Sequence, residues 1–96
     1  MTTSSKILSH RNEDSLHLKL IGDFDVTSAN EILRVLKKNS RRTSNVFIHT
    51  SCLKGIQPNA RVALHKHLKL LNGHFFRFVF TGQYSGRLAP KGTALY

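Results

Sequence analysis

Residues 16–36, LHLKLIGDFDVTSANEILRVL, change their period halfway along. In the first half Leu16, Leu18 and Leu20 alternate with His17 and Lys19. This is the two-residue repeat of a half-buried strand, which the pattern places over Ser15–Ile21 and ends at Gly22-Asp23. In the second half Ala29, Ile32, Leu33 and Leu36 recur on one helical face, and the spacing predicts a helix over Ser28–Asn39. Ser28 and Glu31 make an S-x-x-E capping box, each side chain satisfying a backbone N–H at the helix start. Lys37 and Lys38 fall in the last turn, where the helix dipole favours cations.

Strand and helix go on alternating on either side of this stretch. A weaker strand over Lys6–His10 precedes it, with Arg11-Asn12-Glu13-Asp14 as the turn. After the polar loop Ser40–Asn45, the run VFIH at Val46–His49 reads as a buried strand. Ser51–Gln57 reads as a loop. Pro58 suits the first turn of a helix, where its missing N–H costs nothing. That helix is expected to run to about Asn72, with Ala60, Leu64, Leu68 and Leu71 on one face, Ala63 and His67 beside them, and Asn72-Gly73 as C-cap. Phe75–Phe80, FFRFVF, is a further strand, ended by Thr81-Gly82. The order β-β-α-β-α-β predicts an α/β fold, a small mixed and mostly parallel sheet of 4–5 strands with helices packed on it.

A chain of 96 residues is one domain, 1–96, with its core expected over about 6–82 and a tail over 83–96. Met1–Ser5 and the tail are polar or rich in Gly and Pro. Gly86, Pro90 and Gly92 exclude a long helix there, although Tyr84–Ala89 has room for a turn or two. A single cysteine, Cys52, excludes an internal disulfide. No apolar run approaches the roughly 18 residues of a membrane span. The start MTTSSKILSHRNED lacks the apolar centre of a signal peptide, so the expected compartment is the cytoplasm. Fifteen Lys and Arg against five Asp and Glu give a formal charge of +10. Such a field favours anionic partners, nucleic acid, an acidic protein face or anionic lipid headgroups, although a solvated basic surface without a partner has the same composition.

Catalytic chemistry finds little support. Asp23 and Asp25 are the closest thing to an acid/base pair, but short acids ahead of a helix more simply accept its first N–H groups. His65 and His67, two apart, point to different sides of a helix and do not form a metal pair. His49 and Cys52 are conceivable as a nucleophile pair, yet no third group orients them. P-loop, G-x-G-x-x-G and G-x-S-x-G motifs are absent. The expectation is a protein that is not an enzyme, with no cofactor and no metal. The basic residues cluster instead: Arg34, Lys37 and Lys38 close the first helix, with Arg41 and Arg42 following. Arg61, His65 and Lys69 form an exposed stripe of the second, flanked by Lys66. Side by side on one sheet face, the two helices would merge these into one positive surface.

Three stretches in order resemble a STAS domain, the family of the bacterial anti-sigma factor antagonists. They are LHLKLIGDFDVTSANEILRVL with Gly22, Asp25 and Ala29 in register, NVFIHTSCLKGIQPNARVALHKHLKLL over residues 45–71, and Gly73 followed by FFRFVFTG. The resemblance covers about Leu16 to Gly82. It implies a STAS-like fold and a role in binding other proteins, in a sigma-factor regulatory circuit or as an accessory subunit of a transport complex.

Two departures bear on function. The resemblance places an Asp-Ser-Ser-Gly turn at the start of the second helix, its second serine phosphorylated by a partner kinase. This chain has Gln57-Pro58-Asn59-Ala60, so Asn59 stands in the phosphoserine position without a hydroxyl, and His49 replaces the strand-end aspartate. The family recognises partners with this turn and the adjacent helix, which implies Gln57, Pro58, Asn59, Arg61, His65 and Lys69 here. Lys37, Lys38, Arg41, Arg42 and Lys66 would form a basic rim toward an acidic protein partner. The alternative is a small basic α/β protein that binds nucleic acid.

Overall fold

The computed structural model describes residues 6–70, 77–90 and 94–95. A hairpin opens the fold: β1 (Lys6–Asn12) lies antiparallel to β2 (Ser15–Phe24), joined by Glu13-Asp14 with Glu13 at φ 58°. The strand β2 therefore does not stop at Gly22-Asp23. Gly22 takes φ 84°, which glycine adopts without steric cost, at a register shift that lets the strand run on to the buried Phe24.

The helix α1 (Val26–Lys38) also starts earlier than the sequence predicts. Its N-cap is Asp25, whose extended backbone turns the carboxylate onto the helix start; Oδ1 accepts from the Ser28 N–H and hydroxyl, both at 2.9 Å. The Ser28 hydroxyl in turn accepts from the Asp25 N–H at 3.3 Å, closing a capping box. Ser28 is thus the third helical residue and not the cap. Glu31 pairs with Arg34 on the exposed side at 2.9 Å.

A 3₁₀ turn (Ser40–Arg42) leads to β3 (Asn45–Ile56), twelve residues against the four expected. The segment Ser51–Ile56 is strand because β2 runs on beside it, pairing Ile21, Gly22, Asp23 and Phe24 with Cys52, Leu53, Gly55 and Ile56. Next come α2 (Pro58–Leu70), β4 (Arg77–Thr81), the one-turn α3 (Ser85–Leu88) and the two-residue β5 (Ala94–Leu95). The expected face residue Leu71, the cap Asn72-Gly73, Phe75-Phe76, and the ends Met1–Ser5 lie outside the described residues. The sheet order is β1-β2-β3-β4-β5, with every pair after the first parallel. The fold class read from the sequence is therefore the one observed.

Parallel strands added always on the same side, through right-handed crossovers, put all connecting helices on one face. The core lies between that face and the helices. It takes Leu16, Leu18 and Leu20 from β2, Ile32 and Leu36 from α1, Val46 and Ile48 from β3, Leu64 from α2 and Phe80 from β4, each 0–2 % exposed. Truncating any of these leucines to alanine in such a core typically costs about 2–5 kcal/mol.

The segment beyond Gly82, expected as a tail outside the core, belongs to it up to Ala89. Leu88 is fully buried, and Ser85 and Ala89 nearly so. Its anchor is Thr50, a buried threonine in mid-β3. The Thr50 hydroxyl donates to the Thr81 carbonyl at 2.7 Å and accepts from the Tyr84 N–H at 3.1 Å. Gly82 takes φ 97° against this hydroxyl, where a Cβ would approach Thr50 Oγ1 and the Ser51 N–H to 2.6 Å. The apolar small residue expected to end β4 is thus held by both its dihedral and its space.

The opposite face of the sheet carries the odd-numbered residues of β2 and of the first half of β3, before the register shifts. There the half-buried rings of His17, Phe47 and His49 lie in parallel planes, with His17 centred 4.7 Å from Phe47 and 5.2 Å from His49. His17 Nδ1 and His49 Nε2 are 3.0 Å apart, and His49 Nδ1 lies 2.6 Å from the Thr81 hydroxyl. A ring-to-ring hydrogen bond needs one nitrogen without a proton. Burial first, then the charges of His17 and Lys19, lower the His49 pKa from its ordinary 6.5.

Replacing Thr50 by valine keeps the shape but leaves the Thr81 carbonyl and the Tyr84 N–H unpaired. The loss expected in urea unfolding is about 1–3 kcal/mol; an unchanged midpoint would mean that the 84–89 segment is not held there. For His49 the folded pKa lies below the unfolded one, so the neutral ring is the one the fold favours. Its contribution is complete above the unfolded value of 6.5 and is lost as pH falls through the lowered folded value. The thermal midpoint should therefore drop more between pH 7.5 and pH 5.5 in the wild type than in His49→Gln; equal drops would assign the acid sensitivity to other groups.

Candidate functional site

The end of β3 passes into α2 through Gln57. The Gln57 N–H donates to the Phe24 carbonyl at 2.9 Å, fixing the turn against the end of β2. The Gln57 carbonyl accepts from the N–H groups of Ala60 at 3.0 Å and Arg61 at 3.3 Å, so it opens the helix. Pro58 is the first helical residue, as its missing N–H predicts. Ala60 is buried against the core and holds the turn down, while Gln57, Pro58, Asn59 and Arg61 stand exposed. Four of the residues singled out from the sequence therefore share one accessible turn at the carboxyl ends of the parallel strands.

The sequence does not reveal what this turn faces. Ile56, Pro58 and Arg61 form one wall of an open groove of about 390 Å³ whose other wall is Gly86 and Arg87 on α3. Two guanidinium groups thus flank one groove. The Arg87 guanidinium lies over the Tyr84 ring, 5.7 Å from its centre, and the Tyr84 hydroxyl donates to the Lys54 carbonyl at 3.0 Å. Val62, next to Arg61 in the chain, keeps 55 % of its surface exposed, and Val26 at the start of α1 keeps 40 %. Arg87 and Tyr84 escape the sequence reading because nothing local marks a Gly/Pro-rich segment as docked. The one signal available was Leu88, an apolar residue in a polar stretch.

His65 departs from its expected place. It is half-buried, and its Nε2–H donates to the Leu88 carbonyl at 2.9 Å, so it clamps α3 onto α2 and is not part of an exposed stripe. His67 turns the other way and donates from Nε2 to the Asn30 side-chain oxygen at 2.8 Å, tying α2 to α1. The two rings diverge toward different neighbours. Arg61, Lys66 and Lys69 are exposed as expected.

Arg61 and the basic residues at the end of α1 lie at opposite ends of the helix layer. Each helix returns from the carboxyl end of one parallel strand to the start of the next, so α1 and α2 run the same way. Arg61 lies in the first turn of α2, while Lys37, Lys38, Arg41 and Arg42 lie beyond the last turn of α1 or within it. The latter four, with Arg11 and Asn39, line a separate open cleft of about 370 Å³. Arg11 is already committed there. Its guanidinium donates to the Asn39 side chain at 3.3 Å, to the Thr43 hydroxyl at 3.1 Å and to the Arg42 carbonyl, binding β1 to the end of α1.

The candidate catalytic groups stay apart. Asp25 is occupied as the cap of α1, His49 with His17 and Thr81 on the helix-free face, and Cys52 is exposed. The hollow beside His49 is lined by Leu8, Ser9, His10, His17 and Lys19, with neither Asp25 nor Cys52. Among the described residues no helix is long and apolar enough to cross a membrane.

No protein-family model matches the sequence, and no curated protein matches it. Solved structures do match. The anti-sigma factor antagonist SpoIIAA in its unphosphorylated form aligns over 96 % of this chain and 86 % of its own, with a TM-score of 0.71 and 8 % identity. An anti-sigma factor antagonist from Mycobacterium paratuberculosis aligns over 88 % and 73 %, with a TM-score of 0.65 and 13 % identity. The structure described as Mglu aligns over 90 % of this chain but only 20 % of its own length, with a TM-score of 0.66 and 16 % identity. The chain thus spans about a fifth of that longer protein. The fold of this chain is the STAS-like fold of the anti-sigma factor antagonists.

Proposed function

We propose that this chain is a non-enzymatic protein-interaction module that binds an acidic face of another protein through the start of α2 and the facing surface of α3. The observation that carries this reading is the groove lined by both Arg61 and Arg87 beside the exposed Pro58. Exposed Asn59 and Val62 extend the same surface with a neutral polar group and an apolar one. A patch that mixes two arginines with apolar side chains suits a partner that offers carboxylates around an apolar contact. The STAS-like fold supports the same turn as the recognition element.

Asn59 carries no hydroxyl, so this position does not accept a phosphate. It is polar, uncharged and in the first turn of α2, which leaves the surface in a permanently unphosphorylated form. The partner is accordingly an anti-sigma-factor-like kinase or an acidic subunit of a transport complex in the cytoplasm of a bacterium, bound without a phosphorylation switch. Lys66 and Lys69, farther along α2, act mainly on the rate of encounter.

The test is a nuclease-treated pulldown from a bacterial lysate, with captured proteins identified by mass spectrometry. A protein should be captured by the wild type and by Arg41→Glu, and lost with Arg61→Glu/Arg87→Glu. With that partner in hand, Asn59→Asp should weaken binding by about tenfold, equivalent to about 1.4 kcal/mol, and association should slow steeply as salt is raised. Recovery of nucleic acid alone, or an affinity unchanged in Asn59→Asp, would sink this reading.

A further inference from the structure

The face of the sheet opposite the helices carries chemistry that the α2–α3 groove does not use. Register places Lys6, Leu8 and His10 of β1 beside Ile21, Lys19 and His17 of β2, and His17 and Lys19 beside Phe47 and His49 of β3. Arg77 of β4 pairs with Asn45 on the same side. Three planar rings therefore sit on the two strands β2 and β3, their planes within 9° of one another. Beside them lies an open hollow of about 430 Å³, bounded by Leu8, His10, His17, Lys19 and His49 and mostly apolar in its lining. Lys19 lines the hollow, and Lys6 of β1 and Arg77 of β4 add positive charge elsewhere on the same face. The carboxylate of the same face, Asp23, stands toward the far end of β2, past both register shifts.

We infer that this face is a binding platform for single-stranded nucleic acid. Parallel rings on adjacent strands define one stacking direction, and an unpaired base extends such a stack as a further ring. Base-on-ring stacking tolerates any sequence, because every base has a π-face, while nearby cations follow the phosphates. Among the described residues no helix packs on this face, which leaves its half-buried rings accessible to an extended strand. A duplex hides the π-faces of its bases, so it meets only the cations here. A second copy of this chain would bring Lys6, Lys19 and Arg77 against the same cations of its partner, under a net charge of +10 on each. This inference rests on a different surface from the α2–α3 groove and stands or falls separately.

The experiment is fluorescence anisotropy of the full chain with a labelled twelve-nucleotide oligouridine, an oligothymidine of the same length, and a duplex of that length, at 50 and 300 mM salt. Lys19→Glu and Phe47→Leu are compared with Arg41→Glu, which changes the charge as much as Lys19→Glu does but lies at the end of α1. Circular dichroism confirms that each variant is folded. The single strands should bind more tightly than the duplex. Lys19→Glu and Phe47→Leu should each weaken them by about tenfold, in the range of one lost base contact, and Arg41→Glu by no more than about twofold. A loss that grows with salt should remain in Phe47→Leu, where no charge has changed. Duplex binding as tight as single-strand binding, an equal loss in Arg41→Glu, or no binding at 50 mM salt would overturn the inference. So would a dimer in sedimentation that Lys19→Glu strengthens, or binding of anionic phosphatidylserine vesicles with none of the oligonucleotides.

Discussion

Each parallel strand of this sheet is added on the same side of the one before it, from β2 through β5. Right-handed crossovers then return every helix over the same face. Three consequences follow from that one constraint. The leucines of β2 have a single face to be buried against, which is why their two-residue repeat is so regular. The carboxyl ends of the parallel strands and the starts of α1 and α2 gather at one end of the molecule. The opposite face is left to His17, Phe47 and His49, half-buried on each other instead of under a helix.

The groove at that end depends on a second, smaller commitment. Arg87 lines the same groove as Arg61 only because α3 folds back beside α2, and three interactions hold it there. Leu88 and Ala89 bury apolar surface, the Thr50 hydroxyl joins the Thr81 carbonyl to the Tyr84 N–H, and His65 donates to the Leu88 carbonyl. Full burial of one leucine is worth about 1.5–3 kcal/mol, while each hydrogen bond contributes about 1 kcal/mol. The apolar term is therefore at least as large as any polar one, and the hydrogen bonds decide mainly where the segment docks. A four-residue helix has no stability of its own, so the shape of the groove is a property of the core and not of the segment that lines it.

The sequence shows the topology and the turn at Gln57–Arg61 plainly, because both depend on periodicity and on proline chemistry, which are local. It misplaces what depends on partners distant in the chain. Ser28 and Glu31 satisfy the capping pattern, yet Asp25 is three residues earlier and its carboxylate takes the Ser28 N–H, which starts the helix one turn sooner. The polar run TSCLKGI has no strand signature, and it is strand because β2 continues beside it with a bulge at Gly22. His65 looks like a member of a basic stripe until α3 covers it. Gly86, Pro90 and Gly92 announce a loose end, and only Leu88 hints otherwise. Arg87 follows from none of these, since its place is set by the Thr50 anchor 37 positions away, a separation read from residue numbers alone.

The distribution of charge decides how the two proposed surfaces relate. The helix α1 is 13 residues long, about 20 Å at 1.5 Å per residue. Arg61 and Arg87 lie at one end of that length, and Lys37, Lys38, Arg41 and Arg42 at the other. Screening in physiological salt acts over about 8 Å, so neither patch feels much of the other's field. The net charge of +10 is thus spread along the helix layer, with a basic cleft at one end and two arginines at the other. An acidic partner of the kind proposed would meet Arg61 and Arg87 first at the groove. The helix-free face carries its own lysines next to its rings. The two surfaces share one strand, β3, which carries Phe47 and His49 on one side and ends at Ile56 in the groove.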